Sequence, residues 1–259
     1  MFELVRRSKL VFIGLVLALG VGSIPARGRV TEEFHHTYPL NAEGRVSLEN
    51  VNGSVHISAW DRNEVKVDAI KYASDQERLA DITIEIDAHS DSLHIKTRYP
   101  HHLFNNNPGG VEYTLTVPHN ARLDKVDLVN GSLDIDGVTG DLKGSLVNGN
   151  VKAHATRGGT ELSTVNGRLE LTVDESDLRK PISLSSVNGS LVLNLPPDVN
   201  ARLNASSVTG GISSDFQIAV HGWFVGHSLE GELGHGGPEV HLSDVNGRIS
   251  VRRSSQVTN

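Results

Sequence analysis

The sequence predicts an all-β protein: one domain, a parallel β-solenoid (β-helix) with coils of about 18–22 residues behind a less regular N-terminal β region. Three observations carry this expectation. The tripeptide Val-Asn-Gly begins at Val51, Val129, Val147, Val165, Val187 and Val245, with Val208-Thr209-Gly210 as a variant. Successive starts from Val129 to Val208 are 18, 18, 22 and 21 residues apart, and the last start follows after 37. Short apolar-polar alternations flank each tripeptide, so one face of each segment is apolar and the other polar. The composition agrees: 26 Gly, 5% aromatic residues, one Met and no Cys suit thin sheets and tight corners better than helical bundles.

Taken in order, residues 1–26 form a signal peptide. Arg6, Arg7 and Lys9 precede the apolar run Leu10–Gly22, which is shorter than the roughly 20 residues that span a bilayer, and small residues near Ser23 and Ala26 suit cleavage. The mature chain is therefore expected to be exported to the periplasm, the cell surface or the medium, and not to be transmembrane after cleavage. Residues 27–125 form an N-terminal β region with the first coils, acting as a cap over open strand edges. Its strands fall at Val46–Leu48, Val55–Ile57, Val65–Ile70, Ile82–Ile86, Leu93–Thr97 and Val111–Val117. Ser74-Asp75-Gln76-Glu77 opens a short helix running to Ala80. His101–Gly110 reads as an exposed loop.

Residues 126–259 hold the regular repeat, with an insertion at about 213–237. After each corner comes an alternating strand, as in Leu133-x-Ile135, Val151-x-Ala153, Leu169-x-Leu171, Leu191-x-Leu193 and Ile249-x-Val251; another lies before it, as in Ile182-x-Leu184 and Val240-x-Leu242. Taken singly, each Asn-Gly is a hairpin turn. Taken together, the equal spacing and equivalent flanks favour stacked corners at Asn52-Gly53, Asn130-Gly131, Asn148-Gly149, Asn166-Gly167, Asn188-Gly189 and Asn246-Gly247. There the Asn side chains ladder along the axis and Val packs inward beneath them.

Chemistry is sparse. No cysteine means no thiolate metal site, disulfide or thiol nucleophile. A net charge of −7 argues against nucleic acid. The 13 histidines include no His-x-His or His-Glu-x-x-His spacing, and neither a nucleophile elbow nor a phosphate-binding glycine loop occurs. Asp134 and Asp136 point outward, with expected columns Lys152, Glu170 and Val192 for one and His154, Thr172 and Asn194 for the other, so the adjacent coil offers Lys152 and His154 and supplies no second carboxylate for glycoside hydrolysis. No cofactor is expected. The insertion, with His221, Trp223, Phe224 and His227, is the candidate partner-binding surface, since insertions into repeats map to one face and exposed aromatics stack on sugars or fill pockets.

The recurring Val-Asn-Gly-[Ser/Arg]-[Leu/Ile/Val] corners, together with the closing run Gly231–Ile249, resemble the bacterial "putative adhesin" family, a β-helical domain of unknown function. The similarity covers about Gly44 to Val251. It implies an envelope or surface protein with no catalytic residues to carry over. The expectation is an exported, non-catalytic scaffold or binding module whose partner is an unidentified envelope protein or glycan. A polysaccharide-binding or polysaccharide-degrading protein is the alternative, and an envelope stress-response sensing or docking component is a third.

Overall fold

The computed structural model describes residues 29–99, 109–154, 157–174, 178–218, 220–222 and 226–254. The expected signal peptide and most of the His101–Gly110 loop lie outside them. No helix among the described residues is long and apolar enough to cross a membrane.

In the N-terminal half the strands are β1 (Val30–Pro39), β2 (Arg45–Asn52), β3 (Val55–Trp60), β4 (Glu64–Ala73), β5 (Thr83–His89), β6 (Ser92–Arg98), β7 (Gly110–Pro118), β8 (Arg122–Asn130) and β9 (Leu133–Asp136). The helix α1 (Gln76–Asp81) lies between β4 and β5, capped by the Asp75 carboxylate, which accepts from the Arg78 amide at 2.9 Å. The cap is thus one residue later than the Ser74 of the sequence motif. Then follow β10 (Leu142–Asn148), β11 (Val151–His154), β12 (Thr160–Thr172), β13 (Ile182–Leu195), β14 (Ala201–Ser207), β15 (Ile212–Ser214), β16 (Val220–Gly222), β17 (His227–Leu233) and β18 (Glu239–Arg253). Residues 125 and 126, the expected boundary of the cap, both lie within β8.

The expected parallel solenoid is overturned. All the strands belong to one sheet of mixed orientation that curves until it nearly closes into a barrel. Parallel ladders fill its middle: β8 with β10, β10 with β12, and β12 with β13. Antiparallel pairs take over elsewhere, between β1 and β4, β4 and β7, β5 and β6, β14 and β17, and β16 and β17. Nor does the stack follow the chain. Strand β18 inserts between β13 and β14, and β2 sits between β6 and β8. Each long gap in the repeat is therefore an excursion that leaves the stack, folds outside it, and returns. Antiparallel pairs accompany these excursions, and two of them, β5 with β6 and β16 with β17, join strands consecutive in the chain.

The core is built from inward columns that cross the parallel ladders. One runs Val55, Leu133, Val151, Leu169, Leu191 and Ile249; another runs Ile57, Ile135, Ala153, Leu171, Leu193 and Val251. None of these is more than 2% exposed. Burying each large aliphatic side chain contributes about 1.5–3 kcal/mol, and aliphatic side chains one strand apart pack in register along each column. In β12, β13 and β18 the strand runs on through the Val-Asn-Gly corner, with only the valine dropping out of the pairing, so each of these strands bends where a hairpin would reverse.

Candidate functional site

The corners shape the outer surface. Every corner asparagine after Asn52 donates from Nδ2 to the Oδ1 of the preceding rung. Asn130 donates to Asn52 at 2.9 Å, Asn148 to Asn130 at 2.9 Å, Asn166 to Asn148 at 2.8 Å, Asn188 to Asn166 at 3.1 Å, and Asn246 to Asn188 at 2.9 Å. Thr209, the variant residue, ends the row by donating its hydroxyl to Asn246 Oδ1 at 2.7 Å. A ladder of this kind uses one amide hydrogen and one oxygen lone pair per residue. Each rung therefore keeps a free donor and a free acceptor on the exposed side.

Glycine follows each Asn for a reason beyond turn formation. A Cβ on Gly149 would be driven into the carbonyl oxygen of Gly131, one on Gly167 into that of Gly149, one on Gly189 into that of Gly167, and one on Gly247 into that of Gly189. Gly53, Gly131, Gly149 and Gly167 also have φ between +121° and +152°. The same steric exclusion holds at Gly189 and Gly247, for which no such φ is found. Close approach of backbones is thus the common requirement.

The valines do not pack inward as the sequence predicts. Val129, Val147, Val165, Val187, Val245 and Val208 are 37–47% exposed; the first five lie on consecutive strands of the stack and Val208 lies just past the end of β14. The chain turns at the corner, so two successive residues, such as Val147 and Asn148, both face out, while Leu146 before them is buried. With strands about 4.8 Å apart, the apolar row extends about 24 Å. Only Ile70 is an exposed large hydrophobic residue outside this row among the described residues. Two residues earlier in each strand runs a third row, Ser145, Ser163, Ser185, Ser243 and Ser206. Asp127 heads it, accepting from Ser145 at 2.6 Å. A shallow trough lies along these hydroxyls, flanked by Lys143 and Glu161, which pair at 2.8 Å. Three rows, hydroxyl, methyl and amide, thus share one face with one step per strand.

Charge is concentrated at the end of this face. Glu49 lies between Lys125 at 2.7 Å and Lys96 at 2.5 Å, and these two cations hold its carboxyl down to about 2. Elsewhere His154 bridges the rungs on either side of it, with Nδ1 3.0 Å from Asp136 and Nε2 3.1 Å from Asp174. Sequence reasoning placed His154 beside Asp136 and missed Asp174, which lies just past the end of β12. All three side chains are well exposed. Asp134 has Lys152 and then Glu170 in its column, and Asp136 has His154 and then Thr172. No group of three or more His, Cys, Asp or Glu side chains suited to a metal ion occurs among the described residues.

The insertion surface is described only in part. Trp223 and Phe224 lie outside the described residues. His221 belongs to β16, opposite Ser228 in the pairing with β17, and His227 is exposed on β17 opposite Gly222. Gly234-His235-Gly236 is a turn, with φ of +58° and +74° at its two glycines, and His235 is exposed. Trp60 is half-buried, donating from Nε1 to the Glu64 carbonyl at 2.8 Å beneath the Arg62 guanidinium.

No protein-family model matches the chain, and no curated protein matches it. Solved structures do. A "putative cell adhesion protein" from Clostridium sporogenes is 12% identical over 86% of this chain and 100% of its own, with a TM-score of 0.52. A "putative adhesin" from Bacteroides fragilis is 12% identical over 86% of this chain and 97% of its own, with a TM-score of 0.43. A "putative lipid binding protein" from Parabacteroides distasonis has the same identity and coverage, with a TM-score of 0.33. At this identity the first likeness is one of fold.

Proposed function

We propose that the chain is an exported, non-catalytic binding module that adheres, through its serine-valine-asparagine face, to an extended hydroxyl-rich polymer such as a glycan. The observation that carries this reading is the row of six exposed valines beside the asparagine ladder. Contiguous exposed apolar surface marks an interaction site. Here it is a narrow strip without a deep pocket, repeating the same chemistry at each strand. Such a surface suits a ligand that is itself long and repetitive. Sugar rings present C–H faces to methyl groups and hydroxyls to the free amide hydrogens and oxygens of the ladder. The fold likeness to a structure described as a cell adhesion protein supports a surface role.

The test is titration calorimetry of the mature chain against a panel of soluble envelope and host polysaccharides, with wild type beside a Val147→Lys, Val165→Lys double variant. At least a tenfold loss of affinity is expected in the variant, with its melting profile unchanged because both sites are exposed. Equal affinity for the two proteins, or no binding to any polymer in the panel, would overturn the reading.

A further inference from the structure

Inside the sheet, one residue before the exposed valines, runs a column that changes character along the stack. Its members are Asn50, Leu128, Leu146, Thr164, Ser186, Asp244 and Ser207. All are at most 4% exposed. The ends of the column are satisfied. The Asn50 amide donates to the Val111 carbonyl at 2.8 Å, its oxygen accepts from Tyr99 at 2.9 Å, and Ser207 Oγ accepts from the Gly210 amide at 3.0 Å. The middle is not. Thr164 Oγ1, Ser186 Oγ and both carboxylate oxygens of Asp244 have no hydrogen-bond partner.

Asp244 is the group that matters, because an ionised carboxylate without a partner is among the costliest things to bury. It lies 1% exposed near the middle of β18, with Ser186 of β13 on one side and Ser207 of β14 on the other. No cation answers it. Strand β13 carries no ionisable side chain, and β14 carries only Arg202, which is exposed. On β18 itself Glu239, His241, Arg248, Arg252 and Arg253 are all exposed. Opposed only by the nearby Ser186 hydroxyl, burial raises the Asp244 carboxyl above its usual value.

We propose that Asp244 is a proton-binding latch: as the neutral acid it seats β18 between β13 and β14, and loss of its proton loosens that strand. The neutral acid has an O–H that the Ser186 hydroxyl oxygen can accept, which relieves two of the four unpartnered atoms at once. The carboxylate has only acceptors: the Ser186 hydroxyl can donate to one of its oxygens, but its charge stays buried with no cation to balance it. A carboxyl raised in the folded state stabilises the fold fully below its unfolded value of 3.8, and this contribution is lost as pH rises through the folded value. Most carboxylates in proteins act with the opposite sign, Glu49 among them. The consequence is local, because β18 alone separates β13 from β14, and its loosening bares both edges.

The experiment is native-state hydrogen exchange on the full mature chain between pH 4 and pH 8, corrected for intrinsic exchange, with wild type beside Asp244→Asn. In wild type the opening constant for β18 amides is expected to rise at least tenfold over this range, and in the variant to change less than twofold. If Asp244→Asn fails to fold, Asp244→Ser makes the same comparison with the residue that the column already uses on both flanking strands. Parallel pH profiles in wild type and variant would overturn the proposal. So would a wild-type rise that disappears on adding millimolar calcium or sodium chloride, since a bound cation would then be neutralising the carboxylate.

Discussion

Gly149 shows how tightly single residues are constrained by the strand beside them. Its φ is +148°, and a Cβ there would enter the carbonyl of Gly131, whose amide in turn donates to the carbonyl of Asn148 at 3.0 Å. Neither clashing atom is a flexible side chain, so relief requires the two strands to part at the corner. Gly211, just past the last corner, has nothing within 4 Å of its Cβ position. Gly149→Ala is therefore expected to destabilise by about 2–4 kcal/mol, combining backbone strain with a broken ladder, while Gly211→Ala stays within about 0.5 kcal/mol of wild type. Urea denaturation followed by circular dichroism measures both, and equal midpoints for the two variants would contradict the close-approach account. The sequence already marked glycine at these corners, but through turn preference, and the steric reason emerges only when neighbouring rungs are in place.

At the scale of the strand, the alternation of apolar and polar residues was legible throughout, and it locates the inward columns correctly on both sides of the corner. It fails at the corner itself. Counting by two from Leu146 puts Val147 out and Asn148 in, whereas the bend turns both outward. The expectation that Val is inward took the apolar side chain as the guide where the bend decides. The difference has a measurable consequence. Leu169, fully buried in β12, is expected to cost about 2–5 kcal/mol on truncation to Ala, whereas Val165→Asp, four residues earlier in the same strand and 38% exposed, should cost less than about 1 kcal/mol. Thermal melts of the two single variants decide it. A Val165→Asp protein that unfolds with the array would restore an inward valine. The insertion was legible as a break in the repeat and as a surface. Its antiparallel pairing with β14 was not, because three or four alternating residues fit either direction.

For the whole molecule, chain order was the natural guess and proved misleading. A rung beginning at Val245 can stack equally well on Val187 or Val208, because all three present the same backbone and nearly the same side chains. One local sign distinguishes them: Thr209 replaces Asn, and a hydroxyl that donates to Asn246 fits a row that ends there. The 37-residue gap was a second sign, and the 78 residues between Asn52 and Asn130, which are neighbouring rungs, mark the same device at the other end. This arrangement makes a prediction that a stack wound in chain order would not. A chain covering residues 27–195 ends on the completed β13, and its loss is confined to rungs beyond that strand. A chain covering 27–238 is longer, yet it keeps β14 and β17 without the β18 that joins β14 to β13, so β14 has no parallel partner and its inward Leu203 and Ala205 have no adjoining rung at Val240 and Leu242. The shorter chain is therefore expected to be the better folded of the two, with a higher monomer fraction by size-exclusion chromatography and a sharper melt by circular dichroism. In a stack wound in chain order each added rung would extend the core, and the longer chain would be the more stable. A longer chain that matches or exceeds the shorter one in both measurements would place β14 directly against β13, and the inserted position of β18 would have to be given up.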